Sequence, residues 1–415
     1  MKRLLLLLFL PFQSWALNIE VDVGVASEYS DNILLEPVVP GVETTDENIH
    51  SANINLSVDE LTSKIDMQLD LTLNYLDYEN NILNDEYRNT LSTSIRWVIR
   101  PQQYYWNLID RYRQITINSQ EPLSDINSQD VNEIITGPLF RWQVGRGSWL
   151  ELEIESQNYY YEESLFDNNR LSGRVAYTRQ VSPAINLGMH YELLLVEYSD
   201  ENLSGEDNQQ NNLFVDFRYS RALNELVINA GYTEIERENE FAVSTSSTLI
   251  SYNRQVSRTS SFALRYRDML TDRSASVIDN DLTALSTLFY ETESSLTMSR
   301  AIGSYDWDLV FSEIEREDTA TSDSESLTNI LLSVTTGLSA RSQIELSTSD
   351  RNSEITLVSQ SPINEDVLEH RFQYRYLMSR RATLTFDLSQ VVRDSEDDNR
   401  DFEDNRIMLA LAYRL

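Results

Sequence analysis

Histidine occurs at only three positions, His50, His190 and His370, and cysteine at none. That supply restricts the chemistry open to the chain. A zinc centre needs three or four nitrogen or sulfur ligands at short spacing, and no such spacing exists. A serine–histidine nucleophile needs the two groups within hydrogen-bond reach. His50 and His370 both fall in apolar phases, as a lipid-modifying enzyme would require, but serine is too abundant for any one residue to stand out. His190 lies in a polar phase, two residues from Glu192. Asp394, Glu396, Asp397, Asp398, Asp401, Glu403 and Asp404 crowd one segment and could offer oxygens to a cation. They lack the ligand register of a calcium loop and read as a solvated surface. No catalytic residue, metal or cofactor is expected.

The elements around these residues are strands. Ile65, Met67, Leu69, Leu71, Leu73 and Tyr75 alternate with Asp66, Gln68, Asp70, Thr72 and Asn74. Leu150, Leu152 and Ile154 alternate with Glu151, Glu153 and Glu155, and Phe372, Tyr374 and Tyr376 with Arg371, Gln373 and Arg375. A period of two means a sheet with two unlike faces. Charges facing lipid at mid-membrane cost several kcal/mol, about 2–4 for Arg or Lys. The polar phase, with Asp66, Asp70, Glu151, Glu153, Glu155, Arg265, Arg267, Arg371 and Arg375, is therefore expected to line a wet lumen. The apolar phase faces lipid.

The start of the chain carries an export signal. Lys2 and Arg3 precede the apolar run Leu4–Leu10, and Ser14-Trp15-Ala16 offers small residues at a cleavage site. Residues 1–16 are read as a signal peptide and 17–415 as one barrel domain. Ile19, Val21, Val23 and Val25 open the first strand almost at once. No plug domain is expected ahead of the barrel. Beyond the start no apolar stretch is long enough for a membrane helix. The formal net charge of −34 over 415 residues argues against nucleic acid, whose phosphates need basic contacts. A composition 41% hydrophobic and 10% aromatic argues against disorder.

Connections sort by parity. Long acidic segments such as Ser30–Glu47, Ser199–Gln209 and Asp394–Asp404 alternate with tight turns such as Arg100–Gln103, Gly145–Gly147 and Ile302–Ser304. The pattern predicts an all-β, transmembrane, antiparallel up-and-down β-barrel of about twenty strands, with long loops outside and short turns in the periplasm. Weak patterning in Tyr105–Ile117 and Val243–Tyr252 leaves eighteen as the alternative. Trp97, Trp106, Trp142 and Trp307 adjoin the short turns, and tyrosines such as Tyr29, Tyr75, Tyr78, Tyr159–Tyr161 and Tyr198 precede long loops. Two interfacial aromatic belts are expected, with Tyr413 in the lower one. Ile407–Leu415 resembles the C-terminal strand read by the barrel-assembly machinery, with Leu415 where Phe is usual.

Glu28-Tyr29-Ser30-Asp31-Asn32, Tyr112-Arg113-Gln114, Asn127, Asn132 and Gly137-Pro138 together resemble a further pattern. It is similar to the β-barrel porin family found beside exopolysaccharide and exosortase (PEP-CTERM-type) gene clusters, over essentially the whole mature chain. The resemblance implies an outer-membrane barrel linked to export or surface assembly of polysaccharide, with export components among its partners. Lipid and lipopolysaccharide are the partners that the outer surface itself implies. Gly137-Pro138 falls inside a strand, where Pro removes a ladder donor, so a bulge or bend is expected there. Three functions stay open: a channel or export-linked barrel, a passive structural or adhesion barrel, and an outer-membrane enzyme. The mature protein should fractionate with the outer membrane and migrate faster unheated than boiled; recovery as soluble periplasmic protein contradicts the barrel.

Overall fold

The computed structural model describes residues 18–37, 43–116, 127–162, 167–199, 207–237, 242–272, 288–319, 323–356, 362–396 and 400–415. The proposed signal peptide and parts of the long loops lie outside them. The strands are β1 (Asn18–Ser30), β2 (Glu47–Leu61), β3 (Ile65–Tyr78), β4 (Glu86–Tyr87), β5 (Thr90–Arg100), β6 (Tyr104–Thr116) and β7 (Ser128–Gly145). They continue as β8 (Ser148–Tyr161), β9 (Asn168–Ser182), β10 (Ile185–Tyr198), β11 (Asn208–Arg221), β12 (Asn224–Arg237), β13 (Val243–Ser257) and β14 (Ser260–Asp272). The last are β15 (Leu288–Ile302), β16 (Tyr305–Asp318), β17 (Ser324–Ser339), β18 (Ser342–Thr356), β19 (Ile363–Leu377), β20 (Ala382–Ser395) and β21 (Phe402–Arg414).

Each strand pairs antiparallel with its chain neighbour, and β1 pairs with β21 from Asp22↔Arg414 to Ser30↔Arg406. The sheet is thus closed. β4 and β5 are one wall strand with a two-residue break: Thr72↔Thr90, Tyr75↔Tyr87 and Leu76↔Glu86 keep a single register along β3. Arg88 N–H bridges the break by donating to the Asn74 carbonyl at 2.9 Å. The wall therefore has twenty strands, and the eighteen-strand alternative falls. The two weakly patterned segments are β6 and β13. Their outward positions toward the long loops are polar, with Asp110 and Gln114 on one and Ser244, Ser246 and Thr248 on the other. That blunts the alternation without disturbing the backbone. Gly147 (φ 72°) and Gly303 (φ 64°) adopt positive φ in tight turns, where an L side chain would be strained.

Of the bulge or bend expected at Gly137-Pro138, the bulge falls. Thr136↔Ser156 and Leu139↔Glu153 share one register across it, so no residue is inserted. Instead the β7–β8 walls approach closely. A Cβ on Gly137 would lie 1.9 Å from the Ile154 carbonyl oxygen. Glycine is required there for contact; Gly137 and Pro138 keep their register with β6, and the ladder to β8 resumes at Leu139.

Exposed large side chains concentrate on one face. Val25, Ile54, Leu73, Val175, Met189, Val215, Leu346 and Leu409 all belong to it. In β16 the run is Tyr305, Trp307, Leu309 and Phe311, and Glu313 then ends it. That is about ten residues beyond the turn, the length a tilted strand needs to cross hydrocarbon. Asp268 and Asp350 end the band at similar heights. Asp110 comes sooner on β6 and accepts a hydrogen bond from Asn132 Nδ2 at 3.0 Å. Carboxylates are thus not confined to one phase along whole strands: besides these, the buried Glu60 lies in the outer phase of β2 beside the short turn.

Leu71 sits in this band, paired with Leu56 and Leu91, while Thr72 donates its hydroxyl to Asn55 Oδ1 at 2.9 Å on the other face. Leu71→Arg should lower folding stability in bilayers by about 2–4 kcal/mol, and Thr72→Arg far less. Equal folding yields for the two, read by gel mobility, would show the face assignment to be wrong.

Candidate conduit on the inner wall

Closure gives the sheet one concave and one convex face. The aliphatic residues take the face that suits lipid, and the charged residues share the opposite face. The period of two places Asp66 and Asp70 together on β3, with the Ser57 hydroxyl donating to Asp70 at 2.6 Å. Glu151 meets Arg141 at 2.9 Å and Glu153 meets Arg174 at 3.6 Å. Glu155 shares their face without an ion pair of that kind. Arg265 lies 3.9 Å from Glu293 and Arg267 lies 3.5 Å from Glu291. Arg371 pairs with Asp387 at 2.7 Å, and Arg375 donates to Gln373 Oε1 at 3.0 Å. All nine residues thus share one face of the wall, though the barrel distributes them around its circumference and gathers them into no single cluster.

Partners on neighbouring strands were not legible from single-strand patterns. Arg316 on β16 bridges Glu291 on β15, at 3.1 Å, and Glu325 on β17, at 2.9 Å. All three side chains are at least nine-tenths buried. His190 Nδ1 lies 2.8 Å from Asp216 Oδ2, and its ring stacks on Phe214 at 5.0 Å. Glu192, two residues along in the same phase, is the only acidic neighbour that the strand's own sequence offers at that spacing. Gly231 makes room for Phe214, since a Cβ there would lie 2.5 Å from that ring. Of the other histidines, His370 meets the Thr348 hydroxyl at 2.9 Å on the outer face, and His50 is exposed on the same face.

At the long-loop end the inner face changes character. Ile33, Ile49, Leu76 and Tyr78 form one buried cluster, and Val131, Tyr159 and Tyr161 another. Tyr78, Tyr159, Tyr161 and Tyr198 are therefore inside, not in a membrane belt. The alternation permits only Tyr160 of the Tyr159–Tyr161 run to face out, and it is exposed. Asp404, read from sequence as part of a solvated acidic segment, is buried; it accepts from the Ser30 hydroxyl and pairs with Arg406.

The expected belt residues lie on the outer face. Trp97 and Trp106 pair directly across β5 and β6. Trp142 stacks on Phe140 at 5.8 Å, Trp307 and Tyr413 are about two-fifths exposed, and the Tyr75 hydroxyl donates to Asp85.

No family model and no curated protein sequence matches the chain. Among solved structures, it is similar to the ferric enterobactin receptor PfeA of Pseudomonas aeruginosa, at 7% identity and a TM-score of 0.49 over 95% of this chain and 80% of that one. The FrpB iron transporter of Neisseria meningitidis aligns at 8% identity and 0.47, over 95% and 81%. OccK2 (OpdF) of P. aeruginosa, in complex with glucuronate, aligns at 10% identity and 0.42, over 96% and 98%. The chain's own closure and the chemistry of its two faces carry the assignment. The fold is that of an outer-membrane β-barrel.

Removing Arg316 would leave Glu291 and Glu325 buried without their shared cation. Arg316→Ala should cost about 3–5 kcal/mol, measured as a lowered urea midpoint in bilayers. A change below about 1 kcal/mol would mean that water already screens the pair.

Proposed function

We propose that the protein is a porin-like outer-membrane conduit for polar solutes. One observation carries this reading. Inside the closed wall, guanidinium groups remain half in contact with solvent: Arg111 is 48% exposed, Arg265 48% and Arg371 45%. Side chains packed across the lumen would have covered them. A twenty-strand barrel lies between the widths at which porins leave an aqueous channel and those at which transporters hold a plug. The ion pairs also suit the task. They keep the wall hydrated while neutralising much of its charge, so that polar cargo meets hydrogen-bonding groups without a deep electrostatic trap.

The finer reading is a saccharide cargo and a role in export or surface assembly of exopolysaccharide. It is supported by the sequence resemblance and by a wall rich in amide, hydroxyl and carboxylate groups. Lipopolysaccharide would surround the long-loop end. The assembly machinery would read β21 and Leu415 after it, whose N–H donates to the Val21 carbonyl at 2.9 Å.

In planar bilayers the protein should give stepwise conductance. With a chain charge of −34, anionic solutes should permeate less readily than neutral ones at low salt. The difference should shrink toward 1 M salt, where screening acts within about 3 Å. A barrel that folds but never conducts fits a passive structural or adhesion protein instead. Permeation indifferent to both charge and salt would deny the wall a part in selection.

A further inference from the structure

On the outer face at the short-turn end, a groove of about 540 Å³ is lined by Lys64, Ile65, Trp97, Val98, Ile99 and Trp106. Trp97, Val98 and Ile99 follow one another along its lining, and Ile99 is the residue that a register shift against β6, between Val98 and Arg100, leaves out of the ladder. A bulge of this kind bends the strand that carries it, and here the extra residue, Ile99, is exposed at the foot of the wall.

The floor and the rim are both held in place. Trp97 and Trp106 are direct partners across the ladder, and Trp106 Nε1 donates to the Thr136 hydroxyl at 2.9 Å. Its indole is thus fixed, with its proton already used. Lys64 stands at the rim in the β2–β3 turn. The Thr62 hydroxyl accepts the N–H groups of Lys64 and Ile65 at 3.3 and 3.0 Å. The Val98 N–H donates to the Lys64 carbonyl at 2.7 Å, which ties the turn to the bulge.

Lys64 is also singular in composition. It is the only lysine after Lys2; every other cationic side chain beyond the proposed signal peptide, histidine apart, is an arginine. Arginine suits the bidentate carboxylate pairs of the inner wall, whereas lysine presents a mobile point charge on an apolar stem. Such a stem can lie along the groove while its ammonium reaches the headgroup level. Glu60, on the same face of that hairpin, is 4% exposed and does not line the groove.

We propose that this groove is a binding site for one anionic glycerophospholipid of the leaflet at the short-turn end. The acyl chains pack on Trp97, Trp106, Ile65 and Ile99, and the phosphodiester pairs with the Lys64 ammonium. Charge complementarity selects the headgroup, and the concavity distinguishes the site from the general lipid shell. The site is independent of what passes through the lumen.

The test reconstitutes the folded protein in phosphatidylcholine vesicles that carry either brominated phosphatidylglycerol or brominated phosphatidylcholine at equal mole fraction, and reads tryptophan quenching. Quenching in excess with the anionic lipid is expected, corresponding to roughly fivefold local enrichment, the weight of one lysine at an anionic surface. The excess should vanish in Lys64→Gln, return in Lys64→Arg, and vanish in the Trp97→Phe/Trp106→Phe double variant, which removes the reporters at the groove. It should also fade in the unaltered protein at 1 M salt, a measurement that requires no variant to fold. Equal quenching by the two lipids overturns the proposal, as does an excess that survives Lys64→Gln or persists in the double variant.

Discussion

Within hydrocarbon there is no water to receive a backbone N–H or C=O, so each must be paired inside the protein. A sheet meets that demand only by closing. Here the closing ladder joins residues separated by nearly the whole chain, Asp22 with Arg414 and Ser30 with Arg406. The chain must therefore complete β21 before β1 has its second partner. The same ends are joined on the inner face by Arg414 with Glu20 and Asp22, and by Arg406 with Glu28. Backbone and charge thus reinforce a single seam, and the separation of a wet interior from a lipid-facing exterior follows from it.

Given closure, the two faces face opposite electrostatic problems. The outer face must avoid charge across the height of the hydrocarbon, and on strands such as β16 it does so for about ten residues; Asp110 on β6 and the buried Glu60 on β2 are exceptions. The inner face can hold many charges because counter-charges are near. Pairs such as Arg371–Asp387 sit on adjacent strands, where register brings the groups within reach. Toward the long-loop end the solution changes again. Buried ions such as Arg316 with Glu291 and Glu325 lie near apolar clusters, so this rim holds its shape by packing as well as by pairing.

Local departures from the ideal wall recur around it. The break between β4 and β5 and the close approach at Gly137 lie between β3 and β8, and a second close approach lies at Gly231. Register shifts sit beside short turns at Val98–Arg100, Gln143–Gly145, Gln255–Ser257 and Gly337–Ser339. None alters strand number. A continuous cylinder tolerates such irregularities because the flanking ladders keep the register.

The period of two determined, from sequence alone, an antiparallel barrel with two unlike faces, and the face of each residue in strands that alternate cleanly. Ile65 to Tyr75 alternates cleanly because lipid and water demand opposite side chains at every step, and the arithmetic of a strand admits no other assignment. Loop parity followed from the same logic. What alternation cannot encode is register between strands, and so tertiary structure alone decided who meets whom. Asp216 reaches His190 from another strand, and Arg316 finds two glutamates, because closure and stagger set neighbouring residues level. It also decided what each face packs against. Tyr159 and Tyr161 keep the inward phase of Glu151, Glu153 and Glu155 but join an apolar cluster with Val131. Alternation sets which way a side chain points; the surroundings decide whether a polar or an apolar neighbour meets it, because hydrophobic contact is non-directional.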